Sequence, residues 1–442
     1  MDFRGRKVTI MGLGRHGGGV AAARYCALGR AMVTVTDTAD ETALVESVAA
    51  LRHVPIAKFA LGEHRDVDFS SAEIVVVNPA VKPNHWLVKL AQQSGAMLTS
   101  ETELFLNACR ATVIGVTGTV GKSTTAAMLA AVLQAAGRRT WLGGNIGQSL
   151  LADLPQIRSD DFVVLELSSF QLHWLSETAR WPQAAIVTNC SPNHLDWHGK
   201  WEEYVAAKQR LVSHLPPNGF AVLNSYDAEV GHWDSLTRSA LPTPQKLETV
   251  PPLRLPGNHN RQNAACAATM AKQLGIDEKT IANALGNFTG LLHRLRLVAE
   301  IKGRHIYNDS KSTTPTATIA AIFAMDEPTW LLLGGADKDI DWSKFIDFVV
   351  QRAKGVATFG AAADRLDEAI TRATKKADKD GDNLFPSFRC ETMPDALLWC
   401  WQKSMPGEAI LLSPGCPSTD RFRDFADRGE QFESLVRSLS KD

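Results

Sequence analysis

Short apolar runs alternate with longer amphipathic stretches almost from one end of the chain to the other. Residues 7–11, 32–36, 74–77, 112–116, 162–165, 185–188, 330–333 and 409–412 are short, largely apolar runs of strand length, bounded by Gly, Pro or Asn. Strands without a polar face are buried on both sides, so the pattern predicts an α/β fold whose parallel sheets carry helices on both faces. The pattern restarts twice: after SETELFLNACR, where a new strand opens at Thr112, and near LLHRLRLVAE. That divides the chain into three domains, 1–100, 101–290 and 291–442. The stretch 241–256, with five prolines and no clear period, reads as a connection or an irregular edge. KKADKDGD, from Lys375, reads as a solvated loop.

The length of 442 residues agrees with this division, since one domain takes about 150. Lys+Arg 47 against Asp+Glu 48 leaves a net charge of -1, which excludes a generally basic nucleic-acid binder but not a local phosphate site. With 45% hydrophobic and 21% charged residues the chain is expected to be globular rather than disordered. Its seven cysteines lie far apart, with no C-x-x-C pair, and their odd number argues for free buried thiols in a reducing compartment. No apolar run reaches the roughly eighteen residues a membrane span needs, and glycines break up the start MDFRGRKVTIMGLG. The expectation is a cytoplasmic protein with no membrane insertion and no nucleic-acid partner.

Two glycine loops carry candidate phosphate chemistry. In VTIMGLGRHGG a strand runs into Gly12-x-Gly14-x-x-Gly17 and a helix, and the next strand ends in Asp37. Such glycines bring backbone close to a diphosphate at a helix N-terminus, and an acidic residue about 20 positions on can bind a ribose hydroxyl. By motif alone this is a dinucleotide site of the NAD kind; a glycine-rich turn that only packs a helix on a sheet fits as well. The second loop, Thr117-Gly118-Thr119-Val120-Gly121-Lys122-Ser123-Thr124, follows the 112–116 strand and opens a helix closed near Gly137. Its backbone N–H groups suit phosphates, Lys122 suits the β/γ oxygens and the Ser123 hydroxyl suits Mg²⁺. Val116 stands where the full Walker pattern has glycine. Glu166, ending the next strong strand, is placed like a Walker-B metal ligand. In TNCSPNHLDWHG, His194, Asp196 and His198 match no zinc spacing, and each also fits a turn or packing role.

Together, TGTVGKST, GGNIG, LELSSFQL, TNCSPNHLD, YVAAK, GNHNRQNAACA, FTGLLHR and NDSKSTT resemble, in order and spacing, the motifs of the Mur ligases. The resemblance covers nearly the whole chain. It implies an ATP-dependent ligase with an N-terminal Rossmann-like domain for the UDP part of a substrate, a central P-loop domain with a parallel or mixed sheet for ATP, and a C-terminal Rossmann-like domain for the incoming amino acid. GLGRHG, ELSSFQL, NDSK, LLLGGADKD and LLSPGCPSTDRFRDFADRG look most like the branch that joins D-glutamate to UDP-N-acetylmuramoyl-L-alanine, through an acyl phosphate, in peptidoglycan precursor synthesis. L-Glutamate is an alternative acceptor, and an NAD-dependent dehydrogenase fused to an ATPase is the alternative from another class. A monomer is expected.

By matching position the resemblance implies catalytic roles for Lys122, His194, Lys208 and Lys311. Ser123, Glu166, His194 and Lys208 would serve Mg²⁺, Lys208 as a carbamylated lysine; the bare sequence EEYVAAKQR reads equally as a surface helix. ATP would meet Gly118, Thr119, Gly121, Lys122, Ser123, Thr124, Asn260, Asn263 and Arg294, with Asp309 at the ribose. Arg15, His16, Asp37, Thr38, Asn78, Asn145 and Ser168 would line the UDP-sugar path, and Thr313, Lys338, Ser418 and Phe425 the glutamate site. Three positions depart from the family: Val120 for the asparagine of TGTNGK, Asn78-Pro79-Ala80 for SPG, and Leu292 for the proline of LPHR.

Overall fold

The structure is a computed structural model that describes residues 1–14, 17–146, 149–242, 250–337, 340–377 and 385–439. Among these residues three sheets follow one another along the chain. The first contains β1 (Lys7–Met11), β2 (Met32–Asp37), β3 (Lys58–Leu61), β4 (Ile74–Val77) and β5 (Met97–Thr99), in the order β3-β2-β1-β4-β5 and parallel throughout. The second contains β6 (Thr112–Thr117), β7 (Thr140–Gly144), β8 (Phe162–Glu166), β9 (Ala184–Val187), β10 (Phe220–Leu223) and β11 (Ala240–Pro242), in the order β11-β10-β9-β6-β8-β7. It too is parallel at every pairing. The third contains β12 (Arg296–Ile301), β13 (Arg304–Asn308), β14 (Thr329–Gly334), β15 (Gly355–Phe359), β16 (Ser387–Arg389) and β17 (Ala409–Gly415), in the order β12-β13-β17-β14-β15-β16. Here the edge pair β12/β13 is antiparallel.

The apolar runs form central strands because both faces are covered. On β14, Leu331 and Leu333 enter the cluster under the helices Pro315–Phe323, Ser343–Arg352 and Ala363–Ala377; Trp330 and Leu332 enter the opposite cluster with Leu397 and Phe432. The chain forms two compact units, Met1–Val250 with Gln262–Leu285, and Pro251–Arg261 with Gly286–Asp442. The first two sheets share one unit, and a single apolar cluster runs from Val33 and Ile74 to Val163 and Leu211. All seven cysteines are buried and free, as their spacing indicated. No described helix is long and apolar enough to cross a membrane. The expected solvated loop at Lys375 is corrected in part: residues 375–377 end a helix, and the remainder of KKADKDGD lies outside the described residues. So do residues 243–249 of the proline-rich stretch, whose described start forms the edge strand β11.

One buried cation organises the carboxyl edge of the third sheet. Arg428, on the helix Phe425–Leu439, is 0% exposed. Its Nε donates to Ser310 Oγ (2.9 Å) and its Nη2 to the Ser310 carbonyl (2.8 Å). Nη1 reaches the carbonyls of Cys416 (3.1 Å), Gly334 (3.3 Å) and Pro417 (3.3 Å). The loops after β13, β14 and β17 are thereby fixed to one planar group. Burial lowers its pKa to about 10, so it remains a cation at neutral pH. Replacing Arg428 with Met strands these acceptors without a donor and should cost about 3 kcal/mol or more in urea unfolding. Arg428→Lys should recover only part, because an ammonium cannot span three loops as a guanidinium does; equal stability of all three proteins would refute this role.

Candidate active site

Strand β6 runs into a loop whose shape leaves no choice of residue at two positions. Gly118 has φ +150° and Gly121 φ +81°; a Cβ would stand 2.0 Å from Thr188 Oγ1 in the first case and 2.4 Å from Asn263 Oδ1 in the second. The loop is braced from β9 onward. Asn189 Oδ1 accepts from the N–H of Thr119 (3.2 Å) and of Val120 (2.9 Å), while its Nδ2 and Thr188 Oγ1 donate to the Val120 carbonyl at 2.9 and 2.7 Å. Val120 itself is 57% exposed, so its departure from the family leaves the backbone cradle intact. The loop ends at the N-terminus of the helix Lys122–Ala135, whose first turn holds no acidic residue, a position suited to an anion. Lys122 Nζ donates to the Thr119 carbonyl at 2.8 Å.

Glu166, at the end of β8, is 2% exposed. Its Oε2 accepts from Ser123 Oγ (2.5 Å) and its Oε1 from Asn145 Nδ2 (2.9 Å). A hydroxyl and a carboxylate so paired are hard oxygen donors and fit Mg²⁺. Among the described residues no three His, Cys, Asp or Glu side chains form a metal cage.

Lys208 lies on the helix Trp201–Ser213, yet is 1% exposed, which corrects the surface-helix alternative. Its Nζ donates to the Gly118 carbonyl at 2.7 Å and sits 4.7 Å from the centre of the Tyr204 ring. The Tyr204 hydroxyl is 2.8 Å from Thr119 Oγ1. Burial holds the Lys208 pKa well below the usual lysine range, and the charge of Lys122 adds to the effect. As an amine it is no ligand for Mg²⁺. His194 has φ +53° and its ring packs 4.8 Å from that of Phe170; burial, then Lys122, lowers its pKa. His198 lies 5.6 Å from Phe170 and 3.0 Å from Ser169 Oγ, and burial followed by His173 lowers its pKa to about 4.

The other expected residues fall into separate groups. On the first sheet, Asp37 Oδ2 accepts from Gly14 N (2.9 Å) and Oδ1 from Ala39 N (2.9 Å), so this carboxylate ties the glycine loop to β2. Asn78 Cβ would be 3.0 Å from a Cβ at Gly12, and Thr38 is exposed. Arg15 and His16 lie outside the described residues. Ser168 caps the helix Ser169–His173 in a reciprocal pair with Gln171. Asn260 and Asn263 lie one turn apart on the helix Asn258–Gln273, both buried; Asn260 Nδ2 donates to the Pro256 carbonyl at 2.7 Å. Thr124 is buried in the first turn after the loop.

On the third sheet, Lys311 Nζ stands 5.4 Å from the Phe425 ring, and Ser310 Oγ donates to the Phe425 carbonyl at 2.8 Å. Thr313 is half-buried, Ser418 is buried, and Lys338 lies outside the described residues. Arg294 is half-buried between His293 (φ +61°) and Leu295 (φ +42°). Asp309 is 3% exposed; its Oδ1 accepts from Leu295 N (3.0 Å) and its Oδ2 from Ser413 Oγ (2.7 Å). Both oxygens thus serve inside the unit, where the sequence suggested a ribose contact. Sequence reasoning missed Asn189, Tyr204 and Arg428. An asparagine directly after a strand-end threonine was the one local signal, for Asn189.

A parallel α/β protein with a braced phosphate loop, a strand-end carboxylate on the loop serine and a buried lysine beneath the loop is built to handle a nucleoside triphosphate. Residues 116–243 match the model of the Mur ligase middle domain. The chain is 36% identical over 474 residues, covering all of both proteins, to UDP-N-acetylmuramoylalanine–D-glutamate ligase of Roseiflexus sp.. It is 33% identical over 463 residues, 98% of each, to the enzyme of that name from Symbiobacterium thermophilum. The chain belongs to the Mur ligase family. Its fold is also similar to that of UDP-N-acetylmuramate-alanine ligase from Thermotoga maritima, with TM-score 0.59 and 17% identity over 98% of this chain and 100% of that one.

Asp309 provides a pH test of this architecture. Burial raises its pKa to about 6 from an ordinary 3.8. The folded protein therefore binds this proton more tightly than the unfolded chain. The cost of the buried charge is absent below the ordinary value and complete above the raised one. Asp309→Asn keeps an oxygen for Leu295 N but does not titrate. Wild-type stability relative to this variant should fall as pH rises from about 4 to 7; a pH-independent difference in urea midpoints would contradict a raised pKa.

Proposed function

We propose that the chain catalyses ATP-dependent addition of D-glutamate to UDP-N-acetylmuramoyl-L-alanine, releasing ADP and phosphate, in peptidoglycan precursor synthesis. The observation that carries the reading is the buried group Lys208, Gly118, Ser123 and Glu166 beneath a phosphate loop, in a chain whose full-length relatives bear that ligase name. The alternative of an NAD-dependent dehydrogenase is not favoured. A dinucleotide site needs its loop N–H groups and acidic residue turned to the ligand, whereas Asp37 accepts from Gly14 N.

In this reading the loop N–H groups and Lys122 bind the β and γ phosphates of ATP. Ser123 and Glu166 hold Mg²⁺, with His194 and a carbamylated Lys208 serving a second ion. Mg²⁺ supplies charge neutralisation between two anions that otherwise repel. The substrate carboxylate oxygen attacks the γ-phosphorus, the β–γ P–O bond breaks, and ADP leaves with an acyl phosphate remaining. The glutamate nitrogen then attacks the acyl carbon, phosphate departs with the C–O bond electrons, and the nitrogen loses a proton. By matching family position, Lys311 would serve the transferred groups, Arg294 the phosphates, and Thr313, Lys338, Ser418 and Phe425 glutamate. Arg15, His16, Asp37, Thr38, Asn78 and Asn145 would serve the UDP-sugar part of the substrate. The functional division is 1–100, 101–290 and 291–442, in a cytoplasmic monomer.

The state of Lys208 supports its carbamylation. Only a neutral amine attacks CO₂, forming a C–N bond and releasing a proton, and burial keeps this amine neutral at lower pH than usual. The product is an anionic oxygen ligand in place of a cation.

Three measurements check this reading. Coupled ADP release should require UDP-N-acetylmuramoyl-L-alanine, ATP and D-glutamate together, with L-glutamate a poor substitute; faster turnover with L-glutamate or another amino acid would overturn the assignment. Lys208→Ala should lose at least about 100-fold in kcat, the scale of a lost charge-stabilising group, while still binding ATP. Wild-type activity should fall in CO₂-depleted buffer and return with bicarbonate, and indifference to CO₂ would remove the carbamate.

A further inference from the structure

Two tryptophans join the two sheets of the first unit at a place the reaction scheme does not use. After β4 the chain turns through Asn78-Pro79-Ala80-Val81, with Ala80 N donating to Asn78 Oδ1 (3.0 Å) and Val81 N to the Asn78 carbonyl (2.9 Å). The outward carbonyls of this turn are taken by indoles from the second sheet's segment. Trp197 Nε1 donates to the Ala80 carbonyl at 3.0 Å and Trp174 Nε1 to the Val81 carbonyl at 3.2 Å. Trp197 is 8% exposed, and Trp174 packs into the apolar cluster of Met11, Phe69, Val77 and Leu87 beneath the first sheet.

The same indole sits on the His194 side of the phosphate loop. Trp197 N donates to the His194 carbonyl at 3.1 Å, closing the short turn that His194 begins in a left-handed conformation. The Trp197 ring lies 4.7 Å from Phe170, which itself lies 4.8 Å from the His194 ring. One side chain therefore touches the turn that starts at Asn78 and the packing that orients His194. The link uses residues on both sides: the turn is the Asn78-Pro79-Ala80 that departs from the family's SPG, and the indole comes from TNCSPNHLDWHG.

We propose that Trp197, supported by Trp174, is a positioning residue that couples the 78–81 turn of the UDP-substrate crevice to the placement of His194 beside the phosphate loop. Filling the crevice fixes the turn, and the turn fixes the indole and, through Phe170, the imidazole. This rests on the proposed placement of the UDP substrate at Asn78 and of Mg²⁺ at His194.

Trp197→Phe keeps an aromatic ring and removes the N–H, leaving the Ala80 carbonyl without its donor; Trp174→Phe does the same at Val81. Loss of one such bond is expected to raise KM for UDP-N-acetylmuramoyl-L-alanine about fivefold and to raise the Mg²⁺ concentration for half-maximal rate, with KM for ATP unchanged. The double variant should deviate from the product of the single effects. Calorimetric titration of UDP into the wild-type full chain separates the two layers of the argument. If UDP binds the wild type but Trp197→Phe leaves both the substrate KM and the Mg²⁺ dependence unchanged, the coupling is wrong and the site assignment stands. A uniform rise in all three substrate KM values with a lowered Tm would make Trp197 merely structural and also overturn it. Failure of UDP to bind the wild type would remove the crevice assignment and the coupling with it.

Discussion

The hydrogen bond from Lys208 Nζ to the Gly118 carbonyl is the constraint around which the phosphate loop is arranged. A loop that turns its N–H groups toward an anion has to turn carbonyls the other way, into the protein, where an unpaired acceptor is costly. Gly118, at φ +150°, presents such a carbonyl to the interior. Lys208 reaches it from beneath, and Tyr204, one turn earlier on the same helix, lies under the amine and bonds to Thr119. Asn189 braces the loop from the other side. The protein's own side chains therefore hold the cradle in shape, and such preorganisation is what makes aligned N–H groups effective toward charge that develops in a reaction.

Three acidic residues stand at strand ends of parallel sheets, and their neighbours decide what each does. Asp37 meets backbone N–H groups at both oxygens and locks a glycine loop. Asp309 meets one backbone N–H and one hydroxyl, deep enough that burial raises its pKa to about 6. Glu166 meets no such backbone donor through its side chain; it faces a loop serine and an asparagine amide, both of which can be exchanged for a metal ion. Position at the carboxyl edge gives all three access to ligand chemistry. Backbone donors give Asp37 and Asp309 a structural task as well.

The same distinction explains what the sequence made legible. Central strands such as β6, β14 and β17 announce themselves because both faces are buried, so their composition is apolar without interruption. The hairpin β12/β13 does not, since RLVAEI lies at an edge with mostly half-buried residues. Local chemistry was also readable: the glycines, lysine and serine of the phosphate loop act within one turn of chain. Lys208 was not readable from EEYVAAKQR, whose charges are those of a solvated helix; only the packing of that helix against β6 puts this one lysine inside. Asn189, Arg428 and the indoles of Trp174 and Trp197 act on backbone groups far away in sequence. No periodicity or spacing encodes such pairings.

These contacts also settle how a chain with a net charge of -1 can serve phosphate-rich ligands. Counting lysines overstates the positive charge at the loop. Burial, with the charge of Lys122 adding to it, disfavours an ammonium at Lys208. An anion at the loop would be met by Lys122 and by fixed N–H dipoles, which need no counter-ion. In the proposed carbamate form Lys208 even adds a negative charge, which is tolerable only because divalent ions enter with the nucleotide. Much of the positive charge thus arrives with the ligands, so the surface of the protein has no need to be basic.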